Sequence, residues 1–216
     1  MNAEQPLDPA TGKKTGKMDI VNDSFDPLKR IQTAESARPC ELSSLNFRTL
    51  SPFQRALMVT DGTVTKFIEA YTLDPVEIIR LDQKVYPIGE DHPWLEANRN
   101  TEVMYREVMI RGVHSRTLYV YGISYIVPER LPADMKKRLE VQGEGIGRIL
   151  NDACMETRRE VLWFGREKLI HMPPEISRVC NGNFISRVYR IIMNGRPIVM
   201  INERFPVMTD VLPQHH

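Results

Sequence analysis

Along "NTEVMYREVMIRG", Asn100 to Gly112, large apolar side chains recur at every second position, and an arginine stands in the middle of the series. Successive side chains of a β-strand point to opposite faces, so Met104, Arg106, Val108 and Ile110 share one face and Val103, Tyr105, Glu107 and Met109 the other. Five more stretches carry the same period and the same enrichment in Val, Ile, Tyr and Phe: "PVEIIRLDQKVYP", "SRTLYVYGISYIVP", "ETRREVLWFGREKLI", "FISRVYRIIMNG" and "RPIVMINERFPV". They predict six strands. Asn194-Gly195 between the last two is a hairpin signal, and the short links favour antiparallel neighbours, because a parallel pair needs a long crossover.

Ahead of the strands, "LSPFQRALMVTDGTVTKFIEAYTL" follows a helical period broken at Asp61-Gly62. Ser51 and Pro52 suit an N-cap and first turn, and Thr63 can restart a helix. Leu57, Phe67, Ile68 and Tyr71 would face inward. Between the third and fourth strands, "LPADMKKRLEVQ" predicts a helix, and "GEGIGRILNDA" a glycine-bracketed turn leading into another. The fold class is therefore α+β, a single antiparallel β-sheet of about six strands with helices packed on one face. Residues 1–38 are rich in Pro, Gly, Lys, Asp and Ser and lack periodicity, which predicts a flexible N-terminal tail before one domain over 39–216.

Composition narrows the function classes. Lys and Arg total 29 and Asp and Glu 28, so the overall charge offers no pull toward nucleic acid or a membrane surface. No stretch approaches the roughly 20 apolar residues of a membrane span, and the N-terminus lacks the apolar run of a signal peptide, so a cytoplasmic protein is expected. Cys40, Cys154 and Cys180 show no CxxC spacing, and the five histidines form no ligand-spaced pair. Neither a disulfide framework nor a metal site follows. The expected partner is a small molecule, and the expected state a monomer or a weak homo-oligomer.

Two charges are out of place. Arg106 lies among apolar neighbours, and in "RPIVMINERFP" alternation puts Glu203 with Pro197, Val199, Ile201 and Phe205 on the greasier face. A buried unpaired charge costs several kcal/mol. Either the two form a buried ion pair, or their strands are half-wet edges, or the fold encloses a cavity whose ends have opposite charge requirements. "GEGIG" lacks the preceding strand of a dinucleotide fingerprint and reads as a helix-entry turn. The methionines read as core filler, and Arg158-Arg159 as a solvated strand face.

Taken in order, "LSPFQRALMVTDGTVTKFIEAY", "YREVMIRG", "GEGIGRIL", "ETRRE" and "GRPIVMINERFP" resemble the chorismate pyruvate-lyase family over about Ser43 to Pro206. The resemblance implies a chorismate lyase-like fold and the cofactor-free elimination of pyruvate from chorismate to give 4-hydroxybenzoate. It also implies that Arg106 clamps the ring carboxylate and that Glu203 is the buried carboxylate at the C4 hydroxyl end, with both acting in catalysis. Two further family contacts fall on Val64, after the first helix, and on Ile146, in a flap before Gly147-Arg148. There are departures: the best-known members carry methionine at the Val64 position, reaching it needs an extra residue near Gly62-Thr63, and the last strand needs one more between Pro197 and Glu203. A desolvated carboxylate has its pKa pushed upward, which would suit Glu203 to proton transfer. The same fold also serves as the effector-binding domain of winged-helix transcription regulators, which bind small molecules without converting them. An enzyme of this family acting on a modified chorismate would show the same two charged ends.

Overall fold

The antiparallel ladder expected from the period-two segments closes into one sheet. The computed structural model describes Asp26, Leu28 and residues 30–141 and 144–207. Its strands are β1 (Val76–Pro87), β2 (Glu102–Gly112), β3 (Leu118–Ile126), β4 (Thr157–Lys168), β5 (Asn183–Met193) and β6 (Arg196–Pro206). Their order across the sheet is β1-β2-β3-β6-β5-β4, and every neighbouring pair is antiparallel. Arg106 and Glu203 therefore stand on interior strands, and β1 and β4 are the edges. Asn194 and Gly195 turn the β5–β6 hairpin with φ of 50° and 75°. That is the left-handed backbone which Asn and Gly adopt most readily.

Four helices cover the face that carries Arg106: α1 (Pro52–Val59), α2 (Val64–Thr72), α3 (Ala133–Glu140) and α4 (Ile146–Asp152). Ser51 caps α1 in a capping box with Gln54, which satisfies two otherwise orphaned amides. Leu57, Met58, Val64 and Ile68 of α1 and α2 bury themselves against Ile110, Val120, Phe164, Ile185 and Phe205. Met135, Leu139, Ile149 and Leu150 of α3 and α4 do the same over Met104, Ile126, Ile191, Val199 and Ile201. Two helical pairs thus seal two parts of one sheet face and leave the space between them. The one-turn helix α5 (Pro174–Ser177) lies on the opposite face, where Ile176 packs on Met109, Tyr121 and Phe184.

Four expectations need correction. Tyr71 turns outward, 58% exposed, and its ring packs beside Phe53, because the apolar stripe of α2 is narrow and only Val64 and Ile68 are buried in it. Residues 28–38, assigned to the tail, lie on the domain. Leu28 and Ala34 are buried, and the amides of Thr33 and Ala34 bond the carbonyls of Val161 and Leu162 on the free edge of β4. A segment without apolar periodicity is held there by an edge strand that needs its hydrogen bonds satisfied. Pro197 leaves the face of Val199, because Ile192 faces Pro197 while Ile191 faces Val199 and Ile198 is the extra residue of a bulge. That bulge sits in the interval where the family comparison needs one more residue. Lastly, Arg158 is exposed as expected but Arg159 is not, its side chain being 19% accessible.

Candidate functional site

Between the two helical pairs lies a cavity of about 90 Å³ whose floor is the sheet. Alternation aims Arg106 and Val108 of β2, Gly122 and Ser124 of β3, Ile201 and Glu203 of β6, and Tyr189 and Ile191 of β5 into it. A side chain at Gly122 would come within 3.3 Å of Val108, so the missing Cβ keeps the floor open directly beside Glu203. The four residues singled out in the sequence, Val64, Arg106, Ile146 and Glu203, all line this one space.

Arg106 is 2% exposed. Its cross-strand neighbours are the uncharged Gln83 and Ser124. Nη2 donates to the Glu144 carbonyl at 2.5 Å, and Nε is buried with no hydrogen-bond partner. Among the described residues it forms no ion pair, since Glu144 turns its carboxylate to Arg138 at 2.8 Å. Burial, with the Arg80 cation nearby, pushes the Arg106 guanidinium down to about 10, against a weaker opposing pull from Glu144. It is still a cation at neutral pH, and no described carboxylate pairs with it.

Glu203 is also buried, 8% exposed, but its charge is paired. It stands directly across from Arg187 in the β5–β6 register. Arg187 donates to Oε2 through Nη2 at 2.6 Å and Nε at 3.2 Å, and Tyr189 donates to Oε1 at 3.0 Å. The remaining Nη1 of Arg187 reaches the Thr60 carbonyl at 2.7 Å, where α1 ends, so the ion pair also ties that helix terminus to the sheet. Burial opposes the Arg187 charge, but Glu203, together with Tyr189 and Asp61, holds the guanidinium above its ordinary value. Burial and then the Glu203 charge push the Tyr189 phenol well up, against Arg187 and Arg159. Tyr189 therefore remains a donor. Oε1, with one donor, keeps room for a second.

The lid comes from α2 and α4. Val64 is the first residue of α2, buried over the β-sheet, and Ile146 is the first residue of α4 after Gly145. The N–H of Ile146 is among the first-turn amides that a helix leaves without an internal partner. A Cβ at Gly145 would fall 2.7 Å from Cδ1 of Ile78, which would have to turn aside. Gly145 is the N-cap of this helix, so the stretch enters a helix here.

Arg106 and Glu203 do not pair with each other, and neither strand is an edge. Sequence reasoning passed over Arg187, Tyr189 and Arg159. Arg187 and Tyr189 were accessible to the same criterion as Arg106, since alternation along "FISRVYRII" puts them on one face with Ile185 and Ile191. Among the described residues no cluster of three metal-ligating side chains occurs, and no helix is long and apolar enough to cross a membrane.

Residues 58–212 match the model of the Rv2949c-like chorismate pyruvate-lyase family. The chain belongs to that family. Chorismate pyruvate-lyase of Mycobacterium tuberculosis is 25% identical to it over 175 residues, which cover 77% of this chain and 85% of the relative. The enzyme of the same name from Mycobacterium leprae is 25% identical over 170 residues, 76% of this chain and 79% of its own. Among solved structures, PhnF from Mycobacterium smegmatis superposes with a TM-score of 0.55 over 73% of this chain and 70% of its own, at 8% identity. That likeness is one of fold. The chorismate pyruvate-lyase family match covers every cavity residue named above.

Proposed function

We propose that this protein is a chorismate pyruvate-lyase, converting chorismate to 4-hydroxybenzoate and pyruvate in the cavity between the helical pairs. The observation that carries the reading is Arg106, a buried guanidinium with an unpartnered Nε and no carboxylate of the described chain within ion-pair distance. A guanidinium binds a carboxylate through two parallel charge-assisted bonds. The ring carboxylate of chorismate would supply the counter-charge that the fold withholds. The C4 hydroxyl, para to it, would then meet Oε1 of Glu203.

The reaction breaks the bond from C3 to the enolpyruvyl oxygen and removes the proton from C4. The ring becomes aromatic, keeps its C4 hydroxyl, and the released enol takes up a proton to become pyruvate. Aromatisation drives the step, so no cofactor is needed. The residues bind, orient and exclude water: Arg106 fixes the ring, and Val64 and Ile146 close over it. The Ile146 N–H offers a further donor. Glu203, held by Arg187 and Tyr189, accepts from the C4 hydroxyl and takes part in moving the proton. In a dry apolar cavity each of these interactions is stronger than in water.

Purified protein incubated with chorismate should yield equimolar pyruvate and 4-hydroxybenzoate, read by coupled reduction of pyruvate and by chromatography. Binding of 4-hydroxybenzoate without turnover of chorismate would instead mark an effector-binding domain. No binding of either compound would overturn the reading.

A further inference from the structure

Chorismate carries two carboxylates, and the arrangement above accounts for one. This inference rests on the lyase reading. With the C1 carboxylate on Arg106 and the C4 hydroxyl at Glu203, the enolpyruvyl group on C3 leaves the ring next to C4. Its carboxylate must therefore lie toward the Glu203 end, on the side of the cavity away from Arg106. A cation is required there, and it must have donors to spare.

Three arginines besides Arg106 line the cavity or hold Glu203. Arg187 has none to spare: two of its nitrogens hold Glu203, and the third holds carbonyl oxygens where α1 ends. Arg148 sits at the rim, 68% exposed, and leans toward Asp152 at 3.7 Å. Arg159 is different. It projects from β4 opposite Ile191, itself a floor residue, and lines the cavity. Its Nε is buried without a hydrogen-bond partner. Nη1 donates to the Asp61 carbonyl at 3.1 Å, and the Asp61 carboxylate oxygen Oδ1 is 4.0 Å away on a side chain that is 85% exposed. An ion pair at that distance and exposure is worth little.

We infer that Arg159 binds the enolpyruvyl carboxylate of chorismate, as a second anion anchor that engages substrate and not the aromatic product. The geometry has a direct consequence. Of the charged groups, binding of 4-hydroxybenzoate uses Arg106 and Glu203, whereas binding of chorismate uses Arg159 as well. Once the C3–O bond breaks, Arg159 retains only pyruvate, at the wall farthest from Arg106.

The test compares substrate with product. In Arg159→Gln, KM for chorismate should rise about 10- to 100-fold, the usual weight of a hydrogen-bonded pair to a charged group, while the inhibition constant of 4-hydroxybenzoate and the melting temperature stay put. Arg159→Lys, which keeps the charge but loses the fork, should fall between, and Arg158→Gln, which removes an exposed charge from the neighbouring position, should match wild type. Equal weakening of chorismate and 4-hydroxybenzoate in Arg159→Gln would mean that Arg159 merely braces the 60–63 turn, and the inference falls. It falls too if KM is unchanged, or if Arg148→Gln alone shows the selective loss. A wild type that binds chorismate without releasing pyruvate sinks only the lyase reading, since the comparison then runs on the two dissociation constants. A wild type that binds neither compound overturns both.

Discussion

The two ends of the cavity present the same problem solved in opposite ways. Arg106 and Glu203 are both charged, both on interior strands and both nearly inaccessible. Register decides the difference. Glu203 has a guanidinium directly across the ladder and a phenol beside it, so its charge is balanced within the protein. Arg106 has Gln83 and Ser124 across from it, and nothing described balances its charge. Removing one partner of a buried pair costs far more than never having had one. On the proposed function, the Glu203 charge is balanced within the protein, and the Arg106 charge is left for a ligand to balance.

Glu203→Gln should have the largest effect. It keeps shape and hydrogen-bonding capacity but removes the charge, so single-turnover rates should drop about 10²–10⁴-fold if the carboxylate moves the proton. It should also strand Arg187 and lower stability by about 3–5 kcal/mol in urea titrations. Pairing it with Arg187→Met separates the two roles: stability should largely return and turnover should not. Normal turnover in a folded Glu203→Gln variant would end the catalytic assignment.

Arg106→Met comes next. Loss of the bidentate partner should weaken 4-hydroxybenzoate binding by about 2–5 kcal/mol by calorimetry. Its effect on the ligand-free protein should have the opposite sign from that of Glu203→Gln. The folded-state value near 10 lies below that of a free guanidinium, so from about pH 10 up to the ordinary guanidinium range the folded protein binds fewer protons than the unfolded chain. The burial penalty is therefore complete below pH 10 and fades as pH rises through that window.

Deleting residues 1–38 should lower stability by about 2–4 kcal/mol, because Leu28 and Ala34 leave the core and the β4 edge loses its cover. Since Leu28 shares a cluster with Leu57 and Val64, the loss should spread to the lid and weaken 4-hydroxybenzoate binding. An unchanged melting temperature would show that the segment contributes nothing. The smallest effect belongs to Val64→Ala, which trims one buried wall contact and should cost about 1 kcal/mol of ligand affinity and a similar amount of stability. A larger loss would mean that the lid, and not the two charged ends, governs binding.

Much of this was legible in the chain. Period two located all six strands, Asn194-Gly195 the hairpin and Ser51-Pro52 the start of α1. Alternation alone set Arg106 and Glu203 apart, because a charge within an apolar face is a local signal. What balances each charge is not local. Arg187 carries the same signature as Arg106, yet only the strand order β6-β5 makes it the counter-ion of Glu203. Arg158 and Arg159 point to opposite faces of β4, and only the pairing with β5 puts Arg159 beside Ile191 at the cavity. Residues 28–38 have no pattern of their own, and only an unpaired strand edge far along the sequence explains their order. The bulge at Ile198 needed the register of β5 to be seen.

The central claim is that Arg106 lacks a counter-charge in the free protein and gains one from its ligand. Thermal melting of wild type and Arg106→Met, each with and without 4-hydroxybenzoate, tests it at neutral pH. The account predicts that the ligand-free variant melts at or above wild type, because a buried uncompensated cation has been removed. It also predicts that 4-hydroxybenzoate at about 100 times its wild-type Kd stabilises wild type by about 2.7 kcal/mol and the variant by less than about 1 kcal/mol. A variant that melts well below wild type yet is stabilised normally by the ligand would contradict it.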